Sequence, residues 1–472
     1  MLKYYVLLLA LFAANGVFAQ DCNCESSFLW MKKTFEDNDA GFTYILSKKG
    51  KDAYEMHNSA YLKKVKKITS DKECAIVLDR WMRFFRQGHI GVDYIAKDTV
   101  TGAVVGKSET IKVDTREFEK YLTDKKDPGY EGIWLSEPYK IGIKKTGDHY
   151  VGFIIETTAE NWKAGEVKAK FNDDGGAYYT RNKTEVKFAK SGLKLEGKND
   201  LQLGNFSLKR TYPVLKNDAE TELDLKLLRS SKPFLEKLNA TTLILRIPFF
   251  EITEKKYIDS VIRVNRATIL ATPNLIIDLR NNPGGSDESF EEILPFLYTN
   301  PIRSVGVDFL STKLNNQRML DLSNNTEFDE DSRKQLKKYY EKLEQSLGKF
   351  VSLSDQKVEI YKRDSVYTYP QQVGILINEK NGSTTEQFLL AAKQSKKVKL
   401  FGVTTYGMLD ISHVHTLAFP CGKFELFYGL SRSYRIPGMA IDDIGLQPDY
   451  YIDGTIERNG WVKFANEVLN NK

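Results

Sequence analysis

The chain has 472 residues, enough for about three domains at roughly 150 residues each. Apolar residues make up 41%, charged residues 28% and aromatics 12%, a balance that excludes disorder for the bulk of the chain. Lys and Arg number 69 against 63 Asp and Glu, a net charge of +6. No basic run is interleaved with aromatics, so nucleic acid is not an expected partner.

The first segment reads as an export signal. Lys3 is followed by an unbroken apolar run from Val6 to Ala14, and Val17-Phe18-Ala19 ends in a small residue before Gln20. That run is well short of the roughly 20 residues a bilayer span needs, and the order of charge, apolar run and small residue is that of a cleaved signal. Residues 1–19 are therefore expected to be removed and the remainder to be periplasmic or extracellular, with no integral membrane segment.

Export permits disulfides among Cys22, Cys24, Cys74 and Cys421. Four cysteines allow three complete pairings, and a single crosslink between the Cys22/Cys24 pair and Cys74 is the expected economy. No Cys-x-x-Cys and no nearby histidine pair points to zinc.

Residues 20–109 are expected to form a helical cap. Phe28, Leu29, Met31 and Phe35, then Tyr61, Val65 and Ile68, recur near helical spacing, and Ile76, Val77, Trp81, Phe84 and Phe85 form a further stripe ending at Gly88. Between about 110 and 213 the period changes to two. Tyr139, Ile141 and Ile143 alternate, as do Val151, Phe153 and Ile155, then Val167, Ala169 and Phe171, with polar turns between. These describe an antiparallel β module. Gly132-Ile133-Trp134 resembles the Gly-x-Trp opening of lipocalin-like barrels; Trp134 is expected to plug the sheet rather than to bind a ligand.

From 214 to 472 the pattern is α/β, with a helical insertion at about 303–370. Asn274–Leu279 and Val373–Asn378 are nearly all-apolar strands of the kind buried on both faces. Each runs into a turn and then a helix. The first turn, Arg280-Asn-Asn-Pro-Gly284-Gly285-Ser286, has paired glycines whose N–H groups suit an oxyanion; a tight turn with a structural Asp278–Arg280 network is the alternative. In the second, Ser383 stands at a helix start, where the dipole favours nucleophilic attack. Ser383 as N-cap with Glu386 completing a capping box fits the same residues.

Together the Ile-Ile-Asp-Leu-Arg-x-Asn-x-Gly-Gly and Gly-Ser-x-x-Glu segments resemble the S41 family of serine peptidases, the C-terminal processing or tail-specific proteases. The resemblance implies a ClpP/crotonase-like catalytic domain over residues 214–472. It implies Ser383 as nucleophile, and the backbone N–H groups of Gly284 or Gly285 and of Thr384 as oxyanion donors. The family's lysine base is absent, because the matching turn reads Thr405-Tyr406-Gly407-Met408 and a thioether accepts no proton from a hydroxyl. A tricorn-like branch uses histidine instead. Gln87-Gly88-His89-Ile90-Gly91 resembles its histidine segment and Ile441-Asp442-Asp443-Ile444-Gly445 its acidic one, which implies His89 as base and Asp442 as its partner. Asp442 is shorter than the branch's glutamate by about 1.5 Å, one carbon–carbon bond, and Asp443 is the neighbouring alternative. Gly88 lacks the hydroxyl that branch carries before its histidine. No PDZ-like Gly-Leu-Gly-Phe loop occurs in the β module.

Only five histidines are present. His57 and His149 lie in polar stretches and are expected to be solvated, whereas His413 and His415, two apart on an expected strand, are the rival base. A histidine base is expected to titrate near 6.5. The reading is an exported serine endopeptidase acting on peptide or protein substrates, without metal or organic cofactor. The alternatives are a non-catalytic peptide- or lipophile-binding protein on the same fold and an esterase using the same serine.

Overall fold

The structure, a computed structural model, describes residues 23–95, 109–112, 114–326 and 329–471. The expected signal, residues 1–19, and Cys22 lie outside the described residues. Among the described residues no helix is long and apolar enough to cross a membrane.

The described residues begin with four helices, Cys24–Asn38, Phe42–Lys49, Lys51–Val65 and Asp71–Met82. Asn23 caps the first through its Oδ1, which accepts the Ser26 N–H at 2.8 Å. Phe28, Phe35, Trp81 and Phe85 meet edge to face or tilted between them, and Cys24 is disulfide-bonded to Cys74. His57 is drawn into this packing rather than solvated. Its ring stacks on Phe84, its Nε2 lies 3.0 Å from the Trp81 carbonyl, and burial lowers its pKa.

These helices share one core with a sheet from the far end of the chain, through Phe309, Leu426 and Tyr428. In that sheet Gly91–Tyr94 pairs antiparallel with Phe424–Ser433, Gly91 opposite Phe427. Val307–Leu310 and Ile411–Ala418 pair with the same long strand. This pairing brings residue 89 beside Ile411, 322 positions away in sequence.

A nine-stranded antiparallel sheet spans 132–212. Its strands start later than the sequence suggests, because Thr115–Thr123 is a helix. Asp114 caps that helix by accepting the Arg116 and Glu117 N–H groups, and Phe118 and Leu122 pack on Ile133 and Phe153. Trp134 is fully buried, donates its indole N–H to the Tyr130 carbonyl and lies 4.1 Å from the Arg210 guanidinium. It fills the sheet interior.

The third sheet has the order Phe234–Lys237, Thr242–Arg246, Asn274–Asp278, Gln372–Ile377, Val398–Gly402, Tyr450–Tyr451. The first strand is antiparallel and the others parallel. Leu275, Ile276 and Ile277, like Val373, Ile375, Leu376 and Ile377, are buried on both faces of the sheet. Asp278 stands opposite Leu376, so the glycine turn and the serine turn leave adjacent strands at the same end, where α/β sheets bind ligands.

Candidate active site

The glycine turn is anchored beneath by buried charge. Asp278 accepts from Arg280 Nε at 3.0 Å and Nη2 at 2.8 Å, Arg280 Nη1 reaches Asp224 at 2.7 Å, and Arg246 Nη1 donates to the Asp278 and Arg280 carbonyls. Asparagines then stitch the two turns together. Asn378 Nδ2 donates to Asn281 Oδ1, Asn381 Nδ2 donates to the carbonyls of Leu279 and Asn282, and the Thr385 hydroxyl donates to Asn282 Oδ1. The sequence indicates no role for these asparagines, since an Asn in a turn has too many local uses.

Ser383 does not cap its helix. It has φ 53° and ψ −126°, with no side-chain bond to the helix, a sharp strand-to-helix turn that a β-carbon makes costly. Its N–H donates to the Met408 carbonyl at 3.0 Å. Glu386 does not close a capping box either. Its buried carboxylate accepts the Thr405 hydroxyl and the N–H groups of Gly407 and Met408 at 2.8 and 2.9 Å. The serine hydroxyl is thereby left to the cleft.

Gly284 and Gly285 have φ of 114° and 144°, open to glycine and strained for other residues. A β-carbon on Gly284 would lie 2.9 Å from both Ser383 Cβ and the Thr384 nitrogen, so the two turns are in contact. The Gly284 N–H donates to Asn282 Oδ1 at 3.0 Å, which corrects the expectation that it faces an oxyanion. Among the described residues the Gly285 and Thr384 N–H groups have no acceptor, and the Thr384 hydroxyl donates to the Gly285 carbonyl at 2.9 Å, tying the two together.

His89 Nδ1 lies 2.7 Å from the Ile411 carbonyl. A carbonyl only accepts, so the proton is on Nδ1 and Nε2 carries the lone pair. Burial lowers the His89 pKa to about 4, with the neighbouring Arg86 adding to the effect. Arg86 was missed by sequence reasoning. It is 2% exposed, is held by both Asp39 oxygens, and donates to the Gly88 and His89 carbonyls, fixing the turn in which His89 has φ 55°.

Asp442 does not touch the imidazole, contrary to the implied triad geometry. Its Oδ1 accepts the Leu409 and Asp410 N–H groups at 2.6 Å each, and its Oδ2 the Ile411 N–H at 3.1 Å. Burial, with the nearby Asp410 charge, raises its pKa to about 6. Asp443 grips the other side, accepting the Gln87 N–H at 2.9 Å.

His89, Ser383, Thr384, Gly284, Gly285, Met408 and His413 line one cleft of about 1420 Å³. His415 does not line it; its ring sits against Tyr428, with a buried Nδ1 that has no partner among the described residues. His149 stays near solvent beside Asp148. Among the described residues no group of three or more His, Cys, Asp or Glu is arranged to hold a metal ion.

Residues 241–452 match the model of peptidase family S41. The chain carries a peptidase family S41 domain. No curated protein matches the sequence. Among solved structures, mature CPAF complexed with lactacystin aligns with a TM-score of 0.52 at 15% identity, covering 95% of this chain and 97% of that one. A further structure of mature CPAF aligns with a TM-score of 0.52 at 14% identity, covering 95% and 96%. The photosystem II D1 C-terminal processing protease covers 95% of this chain and 98% of its own, at 11% identity and a TM-score of 0.38. The CPAF likeness at this identity concerns the fold. It extends well beyond the S41 domain, to the N-terminal helices and the antiparallel sheet.

Proposed function

We propose that the chain is an exported serine endopeptidase that cleaves peptide or protein substrates through an acyl-enzyme on Ser383, in a ClpP/crotonase-like catalytic domain. The observation that carries this reading is the pairing, in one cleft, of a strained, uncapped Ser383 with a His89 whose Nδ1 proton is taken by Ile411. The lone pair is then on Nε2, the form a general base requires.

In the proposed reaction Ser383 Oγ attacks the peptide carbonyl as His89 Nε2 takes the hydroxyl proton. The oxyanion of the tetrahedral intermediate accepts the Gly285 and Thr384 N–H groups, which the rigid turns hold in advance. Collapse breaks the C–N bond, and the imidazolium returns its proton to the leaving amine. Water, deprotonated by the same nitrogen, then hydrolyses the ester. Asp442 serves as a positioning residue, because it holds the N–H side of the loop whose Ile411 carbonyl orients His89. Met408 supplies no base.

A fluorophosphonate probe is expected to label the wild-type protein and to leave Ser383→Ala and His89→Ala unlabelled. Absence of labelling in folded wild type, or labelling that survives Ser383→Ala, would replace this reading with the non-catalytic binding one.

A further inference from the structure

Among the described residues six non-glycine residues have positive φ: His89, Lys183, Asn281, Ser383, His413 and Asp443. Four of these belong to the reacting groups or to the turns that hold them, and Lys183 lies in a turn of the antiparallel sheet. His413 is the one left over. It interrupts the strand Ile411–Ala418 at φ 55°, a conformation a strand does not ask for and a side chain makes costly.

The histidine at this strained position is built in from three directions. Its Nδ1 lies 2.7 Å from the Ser431 hydroxyl, itself 3.1 Å from the Ser412 hydroxyl, and its ring packs on Phe309 with centroids 4.7 Å apart. It lines the cleft beside Ser383 and His89. His413 is exposed on the cleft wall; the protein packed around its ring, with the charge that His89 would carry when protonated, shifts its pKa downward, which favours the neutral ring near pH 7. The Ser431 hydroxyl can donate to Nδ1 or accept from it; in the tautomer where it donates, the one ring proton is on Nε2, where it is a hydrogen-bond donor and not a base.

We propose that His413 is a substrate-contacting residue that donates its Nε2 proton to a backbone carbonyl of the bound peptide, beside the bond Ser383 attacks. This rests on the peptidase reading of the cleft and gives His413 a role separate from that of His89. Strain at the position is kept because the donor is needed there, since a glycine would adopt the same backbone freely.

The test compares wild type, His413→Gly and His413→Asn by three measurements: hydrolysis of dye-labelled casein, the rate of Ser383 labelling by a small fluorophosphonate, and Tm. Asn tolerates positive φ, so one variant stays informative if the other folds poorly. Loss of one substrate hydrogen bond is expected to raise KM for casein by about tenfold. The fluorophosphonate has no peptide backbone, so its rate is expected to stay within about threefold, and Tm within about 3 °C. Unchanged casein kinetics would overturn the proposal, as would a fall in Tm well beyond that range, which would make the position structural. A collapse of probe labelling matching that of His89→Ala would also overturn it, by making His413 the base. Wild type that neither cleaves casein nor labels would instead remove the peptidase reading itself, and this inference with it.

Discussion

Met408 and Gly382 are fitted to one another. A β-carbon on Gly382 would lie 2.4 Å from Met408 Cε and 2.8 Å from its Cγ, and one on Gly88 would lie 2.2 Å from Met408 Cβ. Neither glycine has a positive φ, so the backbone at both would accept a side chain and the thioether does not. Met408 is thus a spacer between the residue before Ser383 and the residue before His89.

The spacer predicts a coupling. Gly382→Ala alone is expected to cost about 1–3 kcal/mol of stability through overpacking, and to lower activity at least about tenfold by moving Ser383. Met408→Ala removes the two atoms nearest the new methyl, so the double variant is expected to recover about 1 kcal/mol or more relative to the sum of the single effects. Denaturant unfolding of the four proteins measures this; additive effects would show that Met408 does not set the spacing.

Asp442→Asn is expected to act through the Ile411 loop. The wild-type carboxylate accepts three backbone N–H groups, and an amide oxygen keeps two while its NH2 group opposes the third. Turnover is expected to fall by about tenfold to a hundredfold, less than the roughly 10⁴-fold loss on removing a carboxylate bonded directly to the base. The stability effect has a definite sign. The folded pKa of about 6 exceeds the ordinary 3.8, so this group favours the folded state most at low pH, and that contribution is lost as pH rises from about 4 through 6. Asp442→Asn is expected to remove this pH dependence of Tm. A loss of turnover as large as that of His89→Ala would contradict the indirect role.

What could be read in the sequence was whatever has a local signature. The two apolar strands, the Ser383 helix start and the antiparallel strands follow from runs and alternation, which local physics enforces. The capping-box alternative at Ser383 was equally legible and fails, because Glu386 is claimed by the Thr405–Met408 turn, a contact with no local sign. The same holds for the partners of His89. A backbone carbonyl has no letter, so Ile411 could not be seen, and the Arg86–Asp39 pair spans 47 positions. Thr115–Thr123 was missed because nine residues give too few turns to separate a helical period from the strands that follow.

The Cys24–Cys74 bond closes a separation of 50 residues and ties the first helix to the fourth, the helix leading into the His89 turn. Cys24→Ser is expected to destabilise the protein by about 2–4 kcal/mol. In hydrogen exchange the loss of protection is expected to centre on residues 24–95 and to spare the strands 274–278 and 372–377, whose core is separate. Uniform loss across both regions would mean that they unfold as one unit.

The pH profile separates the histidine base from other routes. His89, lowered to about 4 by burial, is neutral over most of the working range. Probe labelling of Ser383 is therefore expected to show its histidine limb between about pH 3 and 5, instead of at the ordinary histidine value near 6.5. Any second inflection near pH 6 belongs to Asp442, whose ionisation governs its hold on the Ile411 loop, and is expected to vanish in Asp442→Asn while the lower limb remains. Arg86→Met removes the cation that depresses His89 from one side, but it also leaves the Asp39 carboxylate buried without its partner. That variant is expected to lose stability heavily, so the lower limb is better tested by His89→Ala, which is expected to abolish it. A wild-type profile that climbs only above about pH 8.5, and persists in His89→Ala, would assign the base to a lysine.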